Sequence, residues 1–218
     1  GYDYICFSND ISAKRIGVWE IRRFPYSCKD KIRESRYVKI LPHKTLQTYS
    51  YSIYVDANLR IVGRELDERI NELISSDAKM ASVIHPDRDC LYKEAKECVR
   101  LGRDTYFNIR KQIRFLKAEG FPANYGLYEN NLIFRMHNDE KIIKISEDWW
   151  NQFCTFSRRD QLCLCYVFWK NQFKPDLFLP KGVSTHNYSC VERLSHSVPS
   201  MKKRIIKRLS RDFNTVLM

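Results

Sequence analysis

The stretch Tyr51-Ser52-Ile53-Tyr54-Val55-Asp56-Ala57-Asn58 decides how this chain is read. Ser52–Val55 has the composition of a strand, and it is closed by an acid followed two residues later by an amide. In an open α/β sheet, ligands bind beyond the carboxyl ends of the strands, which puts Asp56 where chemistry is done. Oxygen ligands at this spacing suit a hard divalent cation, Mg²⁺ or Mn²⁺, together with phosphate oxygens, so Asp56 and Asn58 are candidate metal ligands. Such a cation would stabilise a departing diphosphate. The same acid also reads as the cap of a tight turn, the commoner use of Asp at a strand end.

Working outward, short apolar runs predict further strands at Tyr4–Phe7, Val18–Arg22, Met80–Ile84 and Leu132–Met136. Helical spacing fills the gaps at Lys31–Leu46, Leu66–Ile74, Leu91–Leu101 and Tyr106–Leu116. Another helix, capped by Asn138 or Asp139, is expected to run to Phe156, and a last one, capped by Ser157, to reach Trp169. This alternation predicts an α/β fold, a Rossmann-type layer sandwich with a mixed, mainly parallel central sheet and helices on both faces. A compositional change after Pro180-Lys181-Gly182 divides the chain into 1–180 and 181–218.

With 44% hydrophobic and 13% aromatic residues and only 7 Gly and 7 Pro, disordered, collagen-like and low-complexity classes are excluded. No apolar run reaches the ~18 residues of a membrane span, and GYDYICFSND lacks the pattern of a signal peptide. A cytoplasmic protein is expected. Of the 8 cysteines, Cys6, Cys154, Cys163 and Cys165 sit in apolar segments and read as free buried thiols rather than as disulfides or a zinc site.

The net charge of +12 calls for an anionic partner: nucleotide phosphates, a phospholipid surface or, ranked lowest for want of any accompanying motif, nucleic acid. Within 199–218, Met201, Ile205, Leu209, Phe213 and Val216 alternate with Lys202, Lys203, Arg204, Lys207, Arg208 and Arg211, the pattern of a basic amphipathic helix. Such a helix either lies at the inner face of the membrane or packs on the domain by its apolar stripe. A non-catalytic basic module docking on anionic lipid or nucleic acid is the rival class of function.

Three more clusters carry chemistry. Ser157-Arg158-Arg159-Asp160-Gln161, at a helix start, suits a bound anion and a hydroxyl to be deprotonated, or equally an ordinary N-terminal cap. In His85-Pro86-Asp87-Arg88, after a strand, Arg88 is a phosphate clamp or a solvated surface residue. Gly120 to Asn131 combines turn formers, aromatics, amides and Glu129, a loop composition suited to sugar rings or, equally, to an ordinary connection.

Taken in order, YDYICFSN, RESRYVKILPHKTL, YSIYVDANLRI, HPDRDCLYKEA, EGFPANYGLYENNLIFRMHND and SRRDQLCLCYVFWK resemble the TOD/MUCI-type glycosyltransferase-like domain family, formerly a domain of unknown function, over residues 2–180. The resemblance implies a GT-A-like nucleotide-diphospho-sugar transferase fold and, in bacteria, a place in surface polysaccharide synthesis. It implies that a sugar passes from a nucleotide-diphospho-sugar to a glycan or lipid-linked acceptor. Asp56 matches a degenerate acidic metal motif, with Asn58 where a second acid often stands. Arg36, Lys39, His43 and Lys44 match a basic block facing the donor phosphates, with Arg88 also on the donor side. Asp160 or Glu129 is implied as the catalytic base, with Asn130, Arg159 and Gln161 toward the acceptor. The family pattern includes a further strand and glycine-bearing turn before YDYICFS, and the sequence opens after them; residues 1–180 are therefore expected to form the domain without its first strand.

Overall fold

The computed structural model describes residues 1–194; the basic helix expected within 199–218 lies outside the described residues. The elements, in order, are β1 (Tyr4–Phe7), β2 (Arg15–Ile16), β3 (Trp19–Arg22), α1 (Lys31–Ile40), β4 (Ser52–Val55), β5 (Leu59–Ile61), α2 (Glu65–Ser75), β6 (Met80–Ile84), α3 (Leu91–Arg100), α4 (Tyr106–Ala118), β7 (Tyr128–Arg135), α5 (Glu140–Thr155), α6 (Gln161–Lys170), β8 (Asp176–Leu177) and β9 (Val191–Arg193). The fold is mixed α/β.

Its centre is a four-stranded sheet in the order β4-β7-β6-β8. β7 is antiparallel to both β4 and β6, while β8 runs parallel to β6. The expectation of a mainly parallel sheet is corrected here. β4, β6 and β8 point the same way, but β7 runs against them between β4 and β6, so parallel pairing is the minority. The reason is β7 itself: it begins at Tyr128, not at Leu132, and inserts between two strands that connect through α2. A second sheet, β1-β3-β2, holds the N-terminus, and β5 pairs with β9.

Alternation along the strands separates two apolar clusters. Met80 and Ile133 join Ile40, Leu91, Ile109, Ile142, Trp149 and the buried run Leu162–Phe168, from α1, α3, α4, α5 and α6. Ala81, Val83, Leu132 and Phe134 instead meet Leu66, Ile70 and Leu73 of α2, with Phe178 and Leu179. Leu132 and Ile133 are neighbours yet point to opposite faces, as a period of two demands. Helix α6 is buried on every side from Leu162 to Phe168, which explains its unbroken apolar run. The N-terminal sheet is tied to the body by Tyr26 stacked on Tyr37 of α1, ring centroids 4.8 Å apart, both meeting Trp150 of α5 edge-on.

Two helix boundaries differ from expectation. The helix from Lys31 ends at Ile40, and Pro42–Lys44 forms a 3-10 turn, because Pro42 lacks the N–H that would continue the ladder. Ser157 does not cap α6: its hydroxyl donates to Asp104 at 2.7 Å, and the helix opens three residues later than Arg158, at Gln161. Asp139, by contrast, caps α5, accepting from the Lys141 and Ile142 amides at 2.9 and 3.2 Å. Beyond Gly182 the chain stays on the body, with Thr185 bonded to β7 and β9 paired with β5. No described helix is long and apolar enough to cross a membrane.

Candidate active site

The directions of the strands bring four loops to one sheet edge. β4 and β6 end there, at Asp56 and His85; antiparallel β7 begins there, at Tyr128; and the segment after β8, through Thr185 and His186, returns to it. Asp56 is therefore at a carboxyl edge, where its backbone N–H donates to the Asn131 carbonyl at 2.8 Å. Its own carbonyl accepts from Leu59 at 2.8 Å and closes the tight turn into β5. The backbone thus makes the turn that the sequence also allowed, while the side chain is free for another role.

That side chain belongs to a buried polar cluster. Tyr54 donates its hydroxyl to Asp56 Oδ1 at 2.7 Å, and Lys39 Nζ lies 3.6 Å from the same oxygen and 4.8 Å over the Tyr54 ring. The Lys39 side chain is 2% exposed and meets Asp160 Oδ2 at 2.6 Å; Arg36 Nε is 3.5 Å from that oxygen. Residues 36 and 39 share one face of α1 by the i, i+3 rule, and this face looks at the start of α6. Burial alone would raise the Asp160 carboxyl, but Lys39, Arg36 and Arg159 override it and hold the group far below the usual carboxylate range. A carboxylate held so acidic is a weak proton acceptor, and with 6% of its side chain exposed it fits the role of a counter-ion rather than a general base. Asp56 keeps 27% exposure.

Sequence reading passed over Arg135. It pairs across from Ser52, so it shares the face of Tyr54. The residue is 1% exposed, its Nε and Nη1 have no hydrogen-bond partner, and burial lowers its guanidinium to about 10. Nothing local in LIFRMH marks an arginine that ends up buried.

The other face of β7 carries a second cluster. Glu129 Oε2 accepts from the Thr185 N–H at 3.2 Å and from the Thr185 hydroxyl at 2.9 Å, while the Asn131 amide donates to that hydroxyl at 2.7 Å. Glu129 Oε1 lies 3.3 Å from His186 Nε2 and 3.8 Å from Arg193 Nη1, and Arg193 also contacts the imidazole. His186 is another residue the sequence reading missed; its side chain is 54% exposed. Between the clusters, strand pairing jumps from Ser82–Ile133 to Val83–Glu129, which leaves Asn130 to Leu132 without partners on β6. This bulge, a device common beside active sites, buries Asn130 with neither amide atom hydrogen-bonded. Glu129, Asn130 and Asn131 thus lie on a strand, not in the loop expected from their composition.

The other expected residues make the following contacts. His43 Nε2 and Lys44 Nζ both meet Glu147 Oε1 of α5, at 3.1 and 2.8 Å. Gln161 donates to the Tyr128 carbonyl at 3.0 Å, and the Asn58 carbonyl accepts from Leu194 at 2.8 Å. Arg88 donates to Glu94 at 2.6 Å and lines a shallow cleft of ≈ 300 Å³ with His85, Pro86 and Tyr128. Tyr128 also borders a neighbouring cleft of ≈ 260 Å³ walled by Tyr125, Phe168 and Phe173.

The donor set does not fit a divalent cation. Asp56 Oδ1 is already taken by a hydroxyl and an ammonium. Among the described residues, no three His, Cys, Asp or Glu side chains are grouped to share a metal. Three cations, Lys39, Arg36 and Arg159, act on Asp160, and Lys39 and Arg36 also act on Asp56, so among the described residues the positive charges near these two acids outnumber them.

Comparison with known proteins adds the family. No solved structure matches the chain. The probable hexosyltransferase MUCI70 of Arabidopsis thaliana is 26% identical over 169 residues, covering 71% of this chain. The chain spans only 28% of that protein's length. The TOD1/MUCI70, glycosyltransferase-like domain matches residues 6–187, nearly the whole of the described body, and the chain belongs to this family.

Proposed function

We propose that this domain transfers a sugar from a nucleotide-diphospho-sugar to a hydroxyl of a glycan or lipid-linked acceptor, on a GT-A-like framework. Support comes from the family and, above all, from one observation: Asp56 stands part-exposed at a carboxyl sheet edge beside the Arg36–Lys39 cation pair.

In this reading the Arg36 guanidinium faces the diphosphate, and the buried Lys39 ammonium adds its field at close range, where low dielectric strengthens it. Asp56 Oδ2, the oxygen not engaged by Tyr54 and Lys39, accepts hydrogen bonds from ribose or sugar hydroxyls. Asp160 positions both cations. The Asn130 amide supplies one donor and one acceptor to the bound sugar. Tyr125 and Tyr128 offer ring faces to an acceptor sugar.

His186, oriented by Glu129, removes the acceptor proton. The acceptor oxygen then bonds to the anomeric carbon as the bond to the diphosphate oxygen breaks. The leaving diphosphate departs with that electron pair, and in-line attack inverts the centre. Cell-surface polysaccharide synthesis is the proposed setting.

A panel of sugar nucleotides offered to the purified protein should be hydrolysed or transferred at a rate that falls about a hundredfold in Asp56→Ala. Undiminished turnover in that variant would sink the assignment.

A further inference from the structure

We infer that the donor diphosphate is bound without a divalent cation, Lys39 providing within the fold the positive charge that a metal would otherwise bring to Asp56. The inference rests on the transferase reading and deepens it.

Two carboxylates at a sheet edge are the usual seat for Mg²⁺, which is held by one or two acids and the substrate's phosphates. Here the space between Asp56 and Asp160 is filled by the Lys39 ammonium, 3.6 Å from one and 2.6 Å from the other. It is a fixed ion, since Lys39 is 2% exposed and the chain that carries it is locked into α1. Tyr54 takes up Oδ1 of Asp56 from the other side. Arg36 borders the same two acids, Arg159 adds its charge at Asp160, and Arg135 lies against Tyr54 with Nε and Nη1 unmatched. A dication entering this group would meet net repulsion. A diphosphate meets the opposite: cations outnumber acids, and its negative charge completes the balance.

Binding of uridine, guanosine and cytidine diphosphates to the whole chain should be measured by calorimetry, once in EDTA and once in excess Mn²⁺. At least one nucleotide is expected to bind in EDTA, with an affinity changed less than about twofold by Mn²⁺, the signature of two ligands without coupling. Arg36→Gln should weaken that binding at least tenfold. Lys39→Ala should acquire a Mn²⁺-dependent thermal shift that the unaltered protein lacks, because the two carboxylates are then open to a metal. Binding that requires Mn²⁺ overturns the inference while leaving the donor reading intact. Binding of none of the three under either condition overturns the donor reading, and this inference with it. If Lys39→Ala fails to fold, the calorimetry of the unaltered protein decides alone.

Discussion

On the two faces of β7 stand two acids of opposite design. Asp160, on the α1 side, is held by charged groups, Lys39 at 2.6 Å and Arg36 at 3.5 Å. Glu129, on the other side, accepts from the neutral N–H and O–H of Thr185 at 3.2 and 2.9 Å, with a half-exposed imidazole at 3.3 Å and the partly exposed Arg193 guanidinium farther away at 3.8 Å. An acid clamped by buried cations loses its appetite for protons and serves to fix those cations. One whose hydrogen bonds come from neutral donors, with its cation more distant and solvated, and which touches an accessible ring, is equipped to orient that ring for proton transfer. In the proposed mechanism this contrast puts electrostatics on one face and proton handling on the other, and shifts weight from Asp160 to His186.

The largest effect that would test the contrast is on stability. Lys39→Ala strands two carboxylates, one of them almost fully buried, and should destabilise the domain by about 3–5 kcal/mol in chemical denaturation without metal. A loss below ~1 kcal/mol, the level of a surface pair, would mean that Lys39 and Asp160 do not form the buried pair described. His186→Ala, on the other face, should leave stability unaltered because the ring is 54% exposed, yet lower kcat about a hundredfold with little change in KM. Equal turnover in the variant would remove proton handling from this face.

Thr185→Val should sharpen the comparison further. It removes the hydroxyl that links Asn131 to Glu129 and should cost about 1–3 kcal/mol, with turnover falling as the His186 ring loses its orientation.

The smallest effect is a pH trend. His85 and His137 have folded values lowered, in each case first by burial. Above the unfolded histidine value, near 6.5, both states are neutral and nothing is lost. Below it the unfolded chain takes up protons that the folded one refuses, so stability should decline as pH falls toward the folded values. Asp160, also depressed, adds its own loss only lower, once pH drops beneath the ordinary Asp value of 3.8. Melting curves across this range should show the shallow slope first and the steeper one later; a melting point that rises between neutrality and pH ~5 would contradict the neutral burial of both histidines.

Local periodicity was enough for much of the body. The strands at Tyr4–Phe7, Ser52–Val55 and Met80–Ile84 fall where the apolar runs put them, and the cores of α2 to α5 follow helical spacing. The very short strands β2, β5, β8 and β9 escaped, since two or three residues carry no period. The start of β7 escaped for a different reason: YENN has the composition of a loop, and only pairing to β6 across a bulge makes it a strand.

The site divides the same way. By itself the sequence determined that an acid ends β4, that basic residues precede it along α1, and that an RDQ group opens α6, because each is a matter of neighbours along the chain. Tertiary structure alone decided that Lys39 stands between Asp56 and Asp160, that Arg135 is buried against Tyr54, and that His186 returns to Glu129. Coulomb energy and burial depend on distance through space and on local dielectric, and neither quantity is written in the spacing of residues.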